Sequence, residues 1–367
     1  MGDGILIKYI GGGEEAVTIP PGVKVIGFAA FAESSIRTIA IPNTVTEIGD
    51  GAFRSCQQLG SITLPAGLTI IGSDAFAHCL RLTELSLPSS VTSIGSLAFS
   101  DCWGLTNIIL PDNIEYIGGG AFSRCWDLTD ITLSDSNPNY QVVDNIIFNK
   151  AKTVLVCFAN KEITNYYVPG TVEKIEQYAF YGAEVKIIKV PKSVTYIGDC
   201  AFSLCYDLEK AVMEGDLDYL GGYAFEDCES LVNLTVIGDI SNRLREILNG
   251  CTSPNLTIYG LSEDSAAHWI AEDNGLPFEL ISYITAAVIT DNSLSIDIVL
   301  QADVSSSPVI FVGIYDGGSL FDILTEDVIT SKTDYSFDVT GNTDKEIRVL
   351  LWDKQDLFPI SDYSQIN

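Results

Sequence analysis

The segment Ser90–Leu105 reads SVTSIGSLAFSDCWGL, and the chain says nearly the same thing three more times nearby. TVTEIGDGAFRSCQQL occupies 44–59, GLTIIGSDAFAHCLRL 67–82 and NIEYIGGGAFSRCWDL 113–128. Alanine followed by phenylalanine recurs with Phe at 31, 53, 76, 99, 122, 180, 202 and 225, at intervals of 22, 23, 23, 23, 58, 22 and 23. A proline keeps the same rhythm at 20, 42, 65, 88, 111, 169 and 191. A fixed period in the twenties marks a solenoid, in which one supersecondary unit makes each turn.

The unit is L-x-x-I-x-L-P-x-x-V-T-x-I-G-x-x-A-F-x-x-C. In LTELSLP (82–88) the pattern buries Leu82, Leu85 and Leu87 and turns Thr83, Glu84 and Ser86 to water, ending in strand-like alternation. Pro88 closes that strand because it has no N–H for a ladder. VTSIG (91–95) reads as a second short strand closed by a glycine corner, and SLAFSDC as a single tight helical turn. Stacked at strand spacing, about 4.8 Å, each column becomes a row of like side chains. The phenylalanines then form an internal aromatic spine. One rung cannot bury its own apolar face, so the rungs must stack.

The interval of 58 equals two periods of 23 with 12 residues left over. In the gap, residues 134–168, NIIFN and TVLVCF flank NKAK and read as an inserted β-hairpin. After Phe225 the pattern decays into REILNGC, and LTIYGLSEDSAAHWIAEDNGLPFELI (256–281) offers strand, helix and strand, which suits a terminal cap. The expected domains are therefore 1–281, a right-handed, mainly β repeat solenoid, and 283–367.

With 367 residues, 47% of them hydrophobic and 19% charged, the chain is built to bury a core. The formal net charge is −29, a field that repels phosphate backbones and argues against nucleic acid and anionic membrane surfaces as partners. No D-x-D-x-D-G loop offers a calcium site. No apolar run is long enough to span a bilayer. MGDGILIKYIGGGEE does not read as a signal peptide, which leaves a cytoplasmic chain or one whose leader lies outside this sequence.

The nine cysteines follow the repeat. Cys56, Cys79, Cys102 and Cys125 share a column, as do Cys205, Cys228 and Cys251, and the favoured reading is a buried row of reduced thiols behaving as small hydrophobes. Neighbours would fall within disulfide reach, but with parallel Cβ vectors that make poor bridges. Zinc spacings such as C-x-x-C are missing. The two histidines, His78 and His268, stand in no catalytic motif, and no P-loop or nucleophile elbow is present. No catalytic residue, cofactor or metal is expected. Carboxylates are nevertheless abundant, so a glycosidase-like pair is not removed by counting.

The aromatic residues are more informative. The place after the column cysteine holds Gln57, Leu80, Trp103, Trp126, Tyr206, Glu229 and Thr252, so Trp103 and Trp126 should stack on adjacent rungs. Tyr116, Tyr196 and Tyr219 share another position, and Tyr140, Tyr166, Tyr167, Tyr178 and Tyr181 lie near the insert. Exposed Trp and Tyr favour interfaces and sugar faces; the plainer alternative is that they pack along the solenoid's edge. Trp103, Trp126 and Tyr206 are the candidate ligand contacts. In the tail, YITAAVIT, LSIDIVL, PVIFVGIYD, SLFDILTE, DYSFDV and EIRVLLWD alternate as strands between short turns, which points to an immunoglobulin-like β-sandwich.

The repeat resembles the BspA-like, or Treponema pallidum-type, leucine-rich repeat over roughly 14–281, carried by its eight Ala-Phe anchors. The tail, through VGIYDGG…IRVLLWDKQDLFPIS with Trp352, Asp353 and Pro359, is similar to a β-sandwich module of secreted proteins from clostridia-like bacteria. The resemblance implies an exported or surface-displayed bacterial protein, associated with adhesion to host matrix proteins or to other bacteria. It implies no catalytic residue and no universal ligand site. A host extracellular-matrix protein, a bacterial surface protein or a glycan is then the expected partner. A passive spacer within a larger surface protein, and a carbohydrate hydrolase, are the alternatives.

Overall fold

The computed structural model describes residues 4–10, 15–83, 85–242 and 246–280, then seven strands between 283 and 366, with side chains as far as residue 279. The chain divides into two units, Met1–Thr257 with Ile270–Leu276, and Ile258–Trp269 with Pro277–Asn367.

The first unit is a β-solenoid. Its V-T-x-I segments form a six-stranded parallel sheet running from Ile5–Leu6 through Val25–Ile26, Glu47–Ile48, Ile70–Ile71 and Ser93–Ile94 to Tyr116–Ile117. The register advances one repeat per step, setting Ile48 beside Ile71, Ile94 and Ile117. All four are buried, because alternate strand side chains point inward.

The L-x-x-I-x-L segments are less regular than their alternation predicts. They form ladders between Ala16–Thr18 and Thr38–Ala40, between Asn107–Ile109 and Asp130–Thr132, and from Asn165–Tyr167 through Ile187–Val190 and Lys210–Met213 to Asn233–Val236. At 82–88 the described residues are not in a strand, yet Leu82 and Leu85 are buried, Leu87 is half-buried, and Thr83 and Ser86 are exposed. Glu84 lies outside the described residues. What this segment keeps is burial of its apolar side chains rather than a continuous ladder.

The turn that follows supplies a ladder of its own. The Phe N–H donates to the Ala carbonyl of the next rung, as in Phe53 to Ala75 (2.7 Å), Phe76 to Ala98 (2.8 Å) and Phe99 to Ala121 (2.9 Å). The column thiols donate to the Phe carbonyl of the preceding rung at 3.0–3.2 Å, from Cys56 on Phe31 to Cys251 on Phe225. All nine cysteines are free. The rings stack from Tyr9 through Phe31, Phe53, Phe76 and Phe99 to Phe122, with centroids 5.1–5.5 Å apart. A second run joins Phe158, Phe180, Phe202 and Phe225 at 4.8, 5.1 and 5.0 Å.

Phe158 corrects the arithmetic of the long interval. Its N–H bonds the Ala179 carbonyl (2.7 Å) as the anchor phenylalanines do, so the 58 residues divide into 36 and 22. Val154–Phe158 closes an antiparallel meander with Tyr140–Val143 and Ile146–Asn149 while pairing in parallel with Lys174–Ile175. The strand is thus hairpin and rung at once. Cys157 also enters the thiol column, beside Cys125 and the main chain of Phe122.

Asparagines seal the insert. Buried Asn137 donates to the carbonyls of Asp112 (2.8 Å) and Ile114 (3.2 Å) and accepts from the N–H of Asn139 and Tyr140 (both 2.8 Å). Asn145 accepts from Ile131 N–H (2.9 Å) and donates to Thr129 C=O (2.8 Å), as the peptide of a neighbouring strand would.

Ile258–Gly260 pairs in parallel with Phe278–Leu280, both in the second unit, and the segment between them carries the helix Ala266–Asn274, whose residues from Ile270 on are counted with the first unit. Ser265 faces the helix N-terminus, its Oγ 3.4 Å from His268 N. Beyond it, Tyr283–Thr290, Ser293–Val299 and Asp334–Asp338 form one antiparallel sheet. Ser319–Asp327, Val309–Asp316, Glu346–Asp353 and Phe358–Ile366 form another. The side chains of Trp352, Asp353 and Pro359 lie outside the described residues.

Two backbone demands recur along the stack. A Cβ added at Gly95, Gly118 or Gly221 would overlap the main-chain nitrogen of Ser73, Ser96 or Asp199 in the preceding rung. The rung of Phe158 reaches its phenylalanine three residues after Leu155, where the next rung takes five from Ile175 to Phe180. At that corner the flanking rungs therefore meet directly: the Gln177 carbonyl occupies the space a Gly119 Cβ would need, and Gln177 Nε2 reaches one rung further to donate to Ser96 Oγ (3.2 Å). The second demand is a left-handed residue on either side of the Ala-Phe pair, such as Ala29 (φ 49°) and Glu33 (φ 61°), or Leu97 (φ 55°) and Asp101 (φ 57°). Opposite outcomes follow at two single positions. Ala29→Gly relieves the left-handed strain and raises stability by about 1 kcal/mol, whereas Gly119→Ala forces the joint apart and lowers it by about 1–3 kcal/mol, both read as shifts in thermal midpoint.

Candidate binding surface

The second left-handed position of each turn builds a column of its own: Glu33, Ser55, His78, Asp101, Arg124, Gly182, Leu204 and Asp227. At its centre Asp101 is 2% exposed. Its Oδ1 accepts from Arg124 Nε (2.8 Å) and Trp103 Nε1 (3.3 Å), and Ser100 Oγ bonds its Oδ2 (3.1 Å). His78 Nδ1 lies 3.6 Å from Oδ2. Buried carboxylates are tolerated when such partners replace water.

Arg124 runs outward from this carboxylate and draws the candidate residues together. Its guanidinium carbon sits 5.8 Å from the Trp126 ring centroid and 5.9 Å from that of Tyr206, within cation–π range. The Asp101 carboxylate and the Tyr206 hydroxyl both favour the charged guanidinium against the cost of its burial. A Cβ at Gly182 would overlap the Arg124 stem, so a glycine opens the slot through which Arg124 passes. The short rung makes this possible, because it lets the turn of Phe122 touch that of Phe180.

Trp103 and Tyr206 are 41% and 44% exposed, and Trp126 is half-buried. Trp103 and Trp126 stand on adjacent rungs, joined by Asp127 N to Trp103 O (3.1 Å), but their rings form no stacked pair. Trp103 is held by its N–H on Asp101 and Trp126 by Arg124, so separate partners replace the expected stack. Tyr181 completes the patch. Burial first, then the Asp101 carboxylate, pushes its phenol up to about 12, with Arg124 opposing.

The other aromatics divide differently. Tyr140 and Tyr166 are buried, and Tyr140 Oη accepts from Ile117 N (3.0 Å), so these two are core rather than surface. Tyr196 and Tyr219 stack at 4.8 Å with Lys174 Nζ 4.8 Å above the Tyr196 ring. An open groove of about 660 Å³ lies beside the insert, lined by Thr129, Asp130, Ile131, Asp144, Asn145 and Asn160 among others. Among the described residues no group of three or more His, Cys, Asp or Glu is placed to hold a metal ion. No described helix is long and apolar enough to cross a membrane.

Sequence reasoning reached Trp103, Trp126 and Tyr206, set Tyr181 among the aromatics near the insert, and passed over Asp101 and Arg124. The available signal was an acidic residue followed by a basic one at the same position of adjacent repeats, with a glycine at the next Ala-Phe repeat.

Stacked parallel strands, an internal phenylalanine column and a period of 22–23 residues define a leucine-rich-repeat solenoid. The model of the BspA type leucine rich repeat region matches 24–154 and 155–262 in six copies, and the chain belongs to that family. Among solved structures, it is similar to a leucine-rich repeat protein from Eubacterium ventriosum, at 23% identity and a TM-score of 0.55 over 67% of this chain and 72% of that one. The pneumococcal vaccine antigen PcpA is similar at 20% identity and a TM-score of 0.54 over 72% of this chain and 79% of that one. The T. pallidum leucine-rich repeat protein TpLRR aligns at 26% identity and a TM-score of 0.36, over 56% and 82%. No curated protein matches the sequence.

Arg124→Met leaves Asp101 buried without its cation and should cost about 3–5 kcal/mol in denaturant unfolding, with Arg124→Lys restoring only part because Lys lacks the planar fork. The raised Tyr181 phenol sets the sign of an alkaline effect. Its neutral form is favoured by folding, so its contribution is complete below the unfolded value near ~10 and is lost as pH climbs toward about 12. Tyr181→Phe should flatten the fall in stability between those two pH values.

Proposed function

We propose that this chain is a non-catalytic, surface-displayed or secreted bacterial binding protein. Its repeat surface holds a host extracellular-matrix protein, a bacterial surface protein or a glycan through Trp103, Trp126 and Tyr206. The observation that carries this reading is the convergence of Trp126 and Tyr206 on one guanidinium, beside a Trp103 anchored to the same buried carboxylate. Preorganised aromatic side chains with part of each ring in water suit an interface, because little rotamer freedom is lost on binding. The family match supports the non-catalytic reading, since it indicates no catalytic family. The tail, read as an immunoglobulin-like β-sandwich over 283–367, serves as a spacer or as a second binding surface.

The test is a binding screen of the full chain against immobilised fibronectin, fibrinogen, laminin, mucin and a glycan array. The Trp103→Ala/Trp126→Ala double variant runs beside the wild type. A saturable hit weakened at least tenfold in the variant supports the site, and an equal signal from both proteins removes it. A blank from the wild type favours a passive spacer, and release of reducing sugar from a bound glycan would restore the hydrolase reading.

A further inference from the structure

The thiol column runs along the solenoid interior and ends at Cys251, and its last member differs from the rest. Cys56, Cys79, Cys102, Cys125, Cys157, Cys205 and Cys228 are buried, whereas Cys251 is partly exposed. The rung of Cys251 lies directly on that of Cys228, held by Phe225 N to Ile247 O and Asp227 N to Asn249 O, both 2.9 Å. Ladder spacing of about 4.8 Å is inside the Cα separation a disulfide accepts, ~4.4–6.8 Å, and the parallel Cβ vectors of the column must tilt toward each other for the bridge to close. The two side chains follow one track on successive rungs, Cys228 Sγ on the Phe202 carbonyl (3.2 Å) and Cys251 Sγ on that of Phe225 (3.0 Å).

We propose that Cys251 and Cys228 form a redox-active pair, a modification site at which a small-molecule disulfide is exchanged for a Cys228–Cys251 cross-link. Cys251 is the attacking group and Cys228 the resolving one. The Cys251 thiolate attacks one sulfur of the reagent disulfide, forming a mixed disulfide and expelling one thiolate. That thiolate takes the Cys228 proton, and the Cys228 sulfur attacks the Cys251 sulfur and expels the second thiolate, which takes a proton from water. Two protein thiols are thereby oxidised by two electrons, and one small-molecule disulfide is reduced to two thiols.

The surroundings favour this pair over its competitors. The neighbouring Cys228 thiol lowers the pKa of the Cys251 thiol, against opposition from burial and from Asp227. A larger thiolate fraction speeds exchange. Cys200, the other partly exposed thiol, is pushed the opposite way, up to about 11, by burial and then by Glu226 and Asp199. Cys205 also neighbours Cys228 in the column, but both are buried, so a reagent in solution reaches neither first. The cross-link would tie the two last rungs of the column together and resist fraying at that end of the repeat array.

The experiment uses the full chain, fully reduced and desalted, then exposed to oxidised glutathione at neutral pH and mapped by non-reducing peptide mass spectrometry. The wild type should lose two hydrogens, with one cross-linked peptide joining Cys228 to Cys251. Cys228→Ser should instead accumulate glutathione on Cys251, at least tenfold above any adduct on Cys200, and Cys251→Ser should give no bridge to Cys228. A stable Cys251–glutathione adduct in the wild type, modification at Cys200 alone, or a Cys205–Cys228 bridge would each overturn the assignment. Because the wild-type map decides the question, a variant that folds poorly does not rescue the idea.

Discussion

The structure depends on what one phenylalanine per rung does with both its ring and its peptide. The ring stacks on its neighbours about 5 Å away, as in Phe76 on Phe99 at 5.3 Å, and excludes water from the centre of the solenoid. The same residue's N–H reaches forward to the next rung's alanine carbonyl, and its C=O receives the next rung's thiol. Backbone polar groups buried in a turn must find partners, and here the repeating unit supplies them from its neighbours. Alanine fits before Phe because the site is fully buried, and cysteine suits the column because it is small, apolar and still a weak donor.

That interlock explains why the strands can be so short. Two-residue strands would not hold a sheet alone, but turn ladder, strand ladder and ring stack fix the same rung-to-rung translation. The constraint has a cost in backbone conformation. Non-glycine residues such as Leu97, Asp101, Tyr178 and Tyr223 are held at φ of 54–60° or nearby, and glycine is required where one corner presses on the next. Strain of this kind persists when its surroundings over-determine it, and a stacked rung is determined from both sides.

The insert shows how such an array accommodates an irregular segment. Val154–Phe158 keeps the spine position while giving up residues at the corner, and the rungs on either side close the gap through Gly119 and Gln177. Asparagine amides take over where strands cannot pair. The same shortening places Arg124 against Gly182 and beneath Tyr206, so the candidate surface is a consequence of the joint rather than of any single repeat. Asp101 and Arg124 use the left-handed turn column to carry a charge pair into the edge of the core, and that pair positions the aromatic rings.

The sequence by itself determined the repeat, its period, the buried columns and the solenoid, because a pattern that recurs every 22–23 residues can bury its apolar face only by stacking. It also placed Trp103 and Trp126 one rung apart, since they share one repeat position. Other features were settled only in three dimensions. Phe158 lacks the Ala-Phe signature, and only its bond to Ala179 reveals it as a spine residue. Among the described residues of 82–88 the expected strand keeps its burial without strand pairing, because burial is local to each rung while a ladder needs two rungs in register. Tyr206 meets Trp126 through Arg124 although two rungs and an insert separate them in the chain, for a shortened rung changes which turns touch. Periodicity fixes what faces inward, and tertiary packing decides which turns meet where the period breaks.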